Sequence, residues 1–415
     1  FISFLSLSSA YAIPSAILPL NLHSRQAPKL RAGSWLVTYK PSISSSTTYD
    51  GYFRVSSNSS SLFVSGDLYT RTTQPNPTDG IPILPRKSYW TFVRTTKLTP
   101  GSNGGFSLGL EYFCFENFTD SNNYTKWGPE PVDGGYSVDL SSASAPTGYP
   151  DPTNYFEGDV KFAGNSSVAG RLTMGWVNDY FHKFTLEIGS VRGLARPDMD
   201  SSRKYTWKSV FNDAGYDIIV EQGKNDIPEP SNPDLPTGMW TNEQEHSTML
   251  QYRKPVDFDK EWRYFLLIVR LLQGVERGAM IDGGYDYNNL PREGTAVAND
   301  WIVGTKWDGS NETRVDWGPK KGEKFVNLHD AWFRACLHEV GHFFNLDHPT
   351  NFEQGIMTDS VSYAFAGNDG TTPEQFPDHI KEDSFKFTDY QKFLMAHLSD
   401  VHTRPGLTMF GAAAQ

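Results

Sequence analysis

Cysteine is nearly missing: Cys114 and Cys336 are the only two in 415 residues. One possible pair provides no framework, which rules out a small fold stapled by disulfides. Long apolar runs are missing too. Phe1 to Ala12 is apolar but too short to span a bilayer, and no later stretch is a candidate transmembrane helix. Positive charge is in deficit, with 37 Lys and Arg against 48 Asp and Glu and a net charge of −11. Nucleic acid and anionic membrane surfaces are therefore poor partners.

What is present suffices for two cores. The chain is longer than one ordinary core supports, and it carries 38% hydrophobic and 14% aromatic residues. Phe1 to Ala12 ends in Ala10-Tyr11-Ala12, a small-x-small cleavage pattern, and reads as the remnant of a secretory signal. Residues 13–29 read as a pro-segment or linker, and 411–415 as a disordered tail. Sequons at Asn58, Asn117, Asn123, Asn165 and Asn311 agree with a secreted, extracellular glycoprotein.

From residue 30 to about 195 the pattern is short strands rich in β-branched and aromatic residues, separated by Gly, Asn, Ser and Pro. Eight are read, at 34–39, 51–55, 61–65, 89–93, 106–115, 155–162, 167–176 and 183–191. They predict an all-β sandwich or barrel. If Trp35, Tyr69, Trp90, Trp127 and Trp176 stacked on one exposed face, they would form a glycan platform. This supports an alternative function, a secreted carbohydrate- or surface-binding protein with a degenerate or structural second domain.

Residues 196–410 form the second domain, of α+β type. Helices are expected at 207–214, 241–252 and from Thr388 to His397, with Thr388 and Gln391 forming a capping box. The run Trp262 to Leu272 fits a buried strand, with further strands at Gly278 to Asp282 and Gly294 to Ala298. Cys336 points away from His338 round a helix and reads as a free thiol in the core. The Asp/Gly clusters at 282–286 and 368–370 have calcium-type donors but read as plain turns, so Ca2+ is not predicted.

One stretch carries chemistry: Leu337-His338-Glu339-Val340-Gly341-His342-Phe343-Phe344-Asn345-Leu346-Asp347-His348. On a helix capped by Asn327 or Asp330, His338 and His342 lie one turn and about 6 Å apart on one face. His348, six residues on, would sit roughly 9 Å further along an unbroken helix. The helix must stop first. Asn345 can stop it, because Asn enters the left-handed conformation that ends many helices. Three imidazoles with an open fourth position describe a catalytic zinc site. Glu339, beside the ion, is placed to take a proton from a water attacking a carbonyl.

This stretch resembles the metzincin metalloproteases, whose signature is H-E-x-x-H-x-x-G-x-x-H followed by a methionine-containing turn. His338, Glu339, His342 and His348 match, and Asn345 stands where that family usually has Gly. Gln354-Gly355-Ile356-Met357-Thr358 is similar to the Met-turn, with Met357 packed beneath the metal. Pro349 is similar to the serralysin branch and Leu346-Asp347-His348 to the matrixins, so no subfamily is assigned. The resemblance implies one catalytic zinc, protein or peptide substrates, and an edge strand lining the cleft, sought at Gly294 to Ala298. It offers Tyr363 as an oxyanion-stabilising tyrosine, at a different spacing from the family's, or else as pocket wall. Phe156-Glu157-Gly158-Asp159 resembles the F-x-G-D switch of astacin-type prosegments, which would set Asp159 on the zinc if the β domain is a prodomain; the plain alternative is a strand ending in a Gly-Asp turn. Cys114 as a thiolate plug is the weaker version of that idea.

Overall fold

The computed structural model describes residues 30–42, 46–58, 61–101, 104–113, 135–164, 167–231, 233–281, 288–312, 315–349, 355–365, 380 and 382–410. Residues 1–29, expected as leader and linker, and Cys114, Asn117, Asn123, Trp127, Asn165, Gln354, both Asp/Gly clusters and residues 411–415 lie outside them.

The N-terminal strands close into a barrel. They are β1 (Gly33–Pro41), β2 (Tyr49–Asn58), β3 (Ser61–Thr70), β4 (Tyr89–Pro100), β5 (Phe106–Phe113), β6 (Tyr136–Ser142), β7 (Tyr155–Phe162) and β8 (Val168–Asn178), each antiparallel to the next. β1 also pairs with β8, with Val37 opposite both Gly51 and Met174. Closure removes every free edge, and alternation sends one side chain in two inward. Trp35, Val37, Phe53, Val64, Leu108, Val138, Val160 and Met174 fill the interior. A Cβ at Gly51 would lie 1.9 Å from the carbonyl oxygen of Asp67, so glycine is what lets β2 and β3 approach there. Trp35 and Trp176 lie in the barrel core and Tyr69 is buried against Val401 and Asp400, so these three aromatics form no exposed glycan platform.

Two differences from the sequence-based strand list follow from pairing. β6 completes the barrel and had been missed. The strand expected last in the barrel is β9 (His182–Ser190), which leaves it and joins a second sheet. There it runs parallel to β10 (Tyr216–Gln222) through the connecting helix α1 (Trp207–Asp213), and parallel on its other side to β12 (Arg263–Val269). Before β12 come β11 (Met239–Trp240) and α2 (Asn242–Tyr252); after it comes β13 (Leu271–Leu272), parallel to β11. The order β10-β9-β12-β15-β14 is completed by β15 (Gly294–Ala298), parallel to β12, and by the antiparallel edge β14 (Gly278–Met280). β12 is buried at every residue because both faces of the sheet are covered.

One face of β14 and β15 packs on α3 (His329–His342). Neither expected residue caps this helix. A 3-10 turn at Phe325–Asn327 leads directly into it, so Leu328 takes the cap position and Asp330 instead accepts from the Ser201 amide and hydroxyl at 2.6 and 2.7 Å. Three short helices follow: α4 (Ser360–Phe365), α5 (Asp389–His397) and α6 (Asp400–Thr403). α5 opens with the expected Thr388 and Gln391 capping box. It starts beside the Met357 turn, where Lys386 O accepts from Ile356 N at 3.0 Å, and ends on the barrel, where His397 bonds Ser56 and Ser65. No helix among the described residues is long and apolar enough to cross a membrane.

Candidate metal centre

α3 is buried along almost its whole length, which fixes the roll of the helix and with it the aim of His338 and His342. Their Nε2 atoms lie 3.2 Å apart. The helix ends as the residue types require: Asn345 adopts φ 59°, the left-handed conformation, and the chain turns back. His348 returns with its Nε2 3.0 Å from that of His338. The donor atoms of all three residues fall within 4.8 Å of one another.

The hydrogen bonds behind the rings set the chemistry in front. His338 Nδ1 lies 2.8 Å from Ile356 O, and His342 Nδ1 lies 2.7 Å from Leu346 O. A carbonyl only accepts, so both Nδ1 atoms carry the hydrogen and both Nε2 atoms present a lone pair when the rings are neutral. Burial keeps them neutral. It is the main reason that His338 titrates well below the usual histidine range and that His342 is lowered to about 3, with the neighbouring imidazoles adding to it. Two bare nitrogens at this distance repel, and a cation removes the repulsion. Zinc held tetrahedrally at about 2.0–2.1 Å would space its ligands by about 3.3 Å, close to what is seen. The donor set therefore fits a metal ion.

Glu339 is buried beside the triad. Burial pushes its carboxyl up to about 8, with the Arg277 guanidinium opposing. Its side chain packs from α3 against β14, where a Cβ at Gly278 would come within 2.4 Å of it. Met357 is fully buried under the helix, and its sulfur would be 2.2 Å from a Cβ at Gly341, so the two residues pack directly. The same turn supplies Ile356 O to His338, joining the floor of the site to the first of the three histidines. Cys336 is free and buried.

In front of the rings lies a cleft of about 540 Å3, bordered by Gly278, Ala279 and Met280 on one side. The bordering edge is thus β14 and not Gly294 to Ala298, because β15 is paired on both sides and has no edge to offer.

Two expected site residues are elsewhere. Tyr363 is fully buried, its hydroxyl bonded to Ser384 and its ring 4.4 Å from the Arg334 guanidinium; it does not line the cleft. Asp159 sits in the middle of β7, neither in a turn nor at the metal, and pairs on the barrel's outer surface with Arg171 at 3.1 Å. The Phe-x-Gly-Asp match is a local strand pattern in a position that faces solvent.

Sequence reasoning missed Arg277, Gly278, Arg334 and Phe410. Arg334 donates to Gly355 O and Thr358 O at 2.7 and 2.5 Å and so pins the Met357 turn to α3. A buried arginine one turn before His338 was the available signal for it. Phe410 packs edge-on against His342 with ring centres 4.9 Å apart, and nothing in its local sequence marks it. Compared with known protein families and with curated proteins, the sequence matches none.

Proposed function

We propose that this chain is a zinc-dependent endopeptidase of metzincin type. The observation that carries the reading is the convergence of three imidazole Nε2 atoms, two of them fixed as bare lone pairs, beside a buried glutamate in an open cleft. His338, His342 and His348 would hold the ion. When bound, zinc polarises a scissile carbonyl and acidifies a water.

The chain's own groups do the rest. β14 offers the backbone of its outer edge to an extended peptide, which adds as a further strand along Gly278 to Met280. The Glu339 carboxylate takes a proton from the attacking water and returns it to the leaving amine. Burial raises its carboxyl, and a bound dication would lower it again, so that the carboxylate is available to take the proton near neutrality. Gly278 leaves the space in which that carboxyl moves between water and amine.

Metal analysis with a casein digestion assay tests the reading. The expected result is one zinc per chain and cleavage abolished by chelation. Glu339→Ala should keep the metal and lose about 10²- to 10⁴-fold in rate, the usual worth of a positioned general base. Cleavage that survives both chelation and Glu339→Ala would overturn the reading.

A further inference from the structure

The segment after α5 runs from the barrel to the metal centre and is gripped along its whole course. On the barrel side, the buried Asp400 carboxylate accepts from Tyr52 and Tyr69 hydroxyls at 2.5 Å each and from Arg54 at 3.2 Å. Arg404 donates to Leu84 O, between β3 and β4, and to Phe258 O, both at 2.5 Å. In the middle, Tyr264 of β12 donates to Thr403 O at 2.7 Å and stacks on Phe343 with ring centres 4.3 Å apart.

At the metal end two residues join this segment to the ligand-bearing loop. Arg292 donates to Arg404 O and Thr408 O at 2.6 and 2.7 Å, and also to Phe343 O, directly after the ligand His342. Asn345 donates from Nδ2 to His402 O at 2.9 Å. That bond gives Asn345 a task glycine cannot perform, since glycine would make the left-handed turn but has no amide with which to hold the segment. The segment then delivers Phe410, half-buried, against the ring of His342 and into the cleft lining, where Val275, Ala279, Met280 and Ala335 are the other apolar side chains.

We propose that residues 400–410 form a strap that seats Phe410 as an apolar wall of the metal cleft, contacting a large apolar side chain of a bound peptide next to the scissile bond. The barrel, through its hold on Asp400 and Arg404, is a permanent part of that wall and not a segment removed on activation. The wall rests on the peptidase reading above, whereas the strap does not.

Three variants of the full chain test it. In zinc-loaded Phe410→Ala, zinc content should match wild type while kcat/KM falls roughly 10- to 100-fold for peptides with Leu or Phe beside the cleaved bond, and little for those with Ala. An unchanged preference with full zinc, or an equal loss on all peptides, overturns the wall. In Asp400→Asn, amide hydrogen exchange of residues 404–410 should quicken at least about tenfold with or without zinc, and Tyr69→Phe should give a smaller change of the same sign. Unchanged exchange in both overturns the barrel's grip. If wild type binds no zinc and cleaves nothing, the wall falls with the peptidase reading, while the exchange result still decides the strap.

Discussion

Where the barrel meets the rest of the chain, Arg54 lies between the carboxylates of Asp67 and Asp400 at 2.8 and 3.2 Å. Tyr52, Tyr69 and Tyr89 donate their hydroxyls to the same two carboxylates, and every member of the group is buried. Below the mixed sheet, the donor atoms of His338, His342 and His348 converge within 4.8 Å of one another with no opposite charge among them. The first cluster is closed, one guanidinium lying between two carboxylates, and burial together with the Asp400 charge pushes the Asp67 carboxyl up to about 8, so that near neutrality it holds a proton. The second is open, and its front lone pairs face one another across a cleft. A folded chain tolerates buried charge only when it is paired, so the closed cluster reads as a joint and the open one as a seat for a cation.

That contrast can be broken from the barrel side first. Arg54→Met removes the cation and leaves two buried carboxylates facing each other, so unfolding free energy should drop by about 3–5 kcal/mol in urea titrations. A loss below about 1 kcal/mol would mean that the cluster is not the joint described here. From the metal side, Gly341→Ala drives a methyl into Met357, with no charge changed. Overpacking of this kind costs about 1–3 kcal/mol. Weaker zinc retention should accompany that loss, because Met357 follows directly on Ile356, whose carbonyl holds His338; equal zinc retention would separate the Met357 turn from the metal.

The remaining effect is in pH. His402, buried in the strap, is held down to about 3, chiefly by burial and then by Arg292. Between the ordinary histidine value near 6.5 and that depressed value, the unfolded chain binds a proton that the folded chain does not. Stability should therefore fall as pH falls through this window, with about 1.4 kcal/mol per pH unit from this residue. His402→Gln should flatten the acid limb of a stability-against-pH curve by that amount; an unchanged limb would show that His402 is not held neutral.

The metal triad was legible because its determinants are local. The spacing of His338 and His342 on one helix, and an Asn able to turn the chain before His348, lie within eleven residues. The capping box at Thr388 and Gln391 was legible for the same reason. Sheet membership was not. β9 alternates like any barrel strand, and only its parallel neighbours β10 and β12 show where it belongs. Strand order likewise decided that β14 and not β15 borders the cleft. Asp159 misled because a four-residue pattern says nothing about which side of a barrel it faces, and aromatic alternation says nothing about whether the aromatic face is wet. Phe410 lies 68 residues after His342 in sequence and reaches it only through a strap whose anchors come from three other regions.

The central claim is that three histidines hold one zinc, and zinc K-edge absorption on the purified protein tests it most directly. The account predicts one zinc per chain with three imidazole nitrogens at about 2.0–2.1 Å and one further light ligand, and loss of that spectrum in His348→Ala. Protein without stoichiometric zinc, or zinc whose environment is unchanged in His348→Ala, would contradict it.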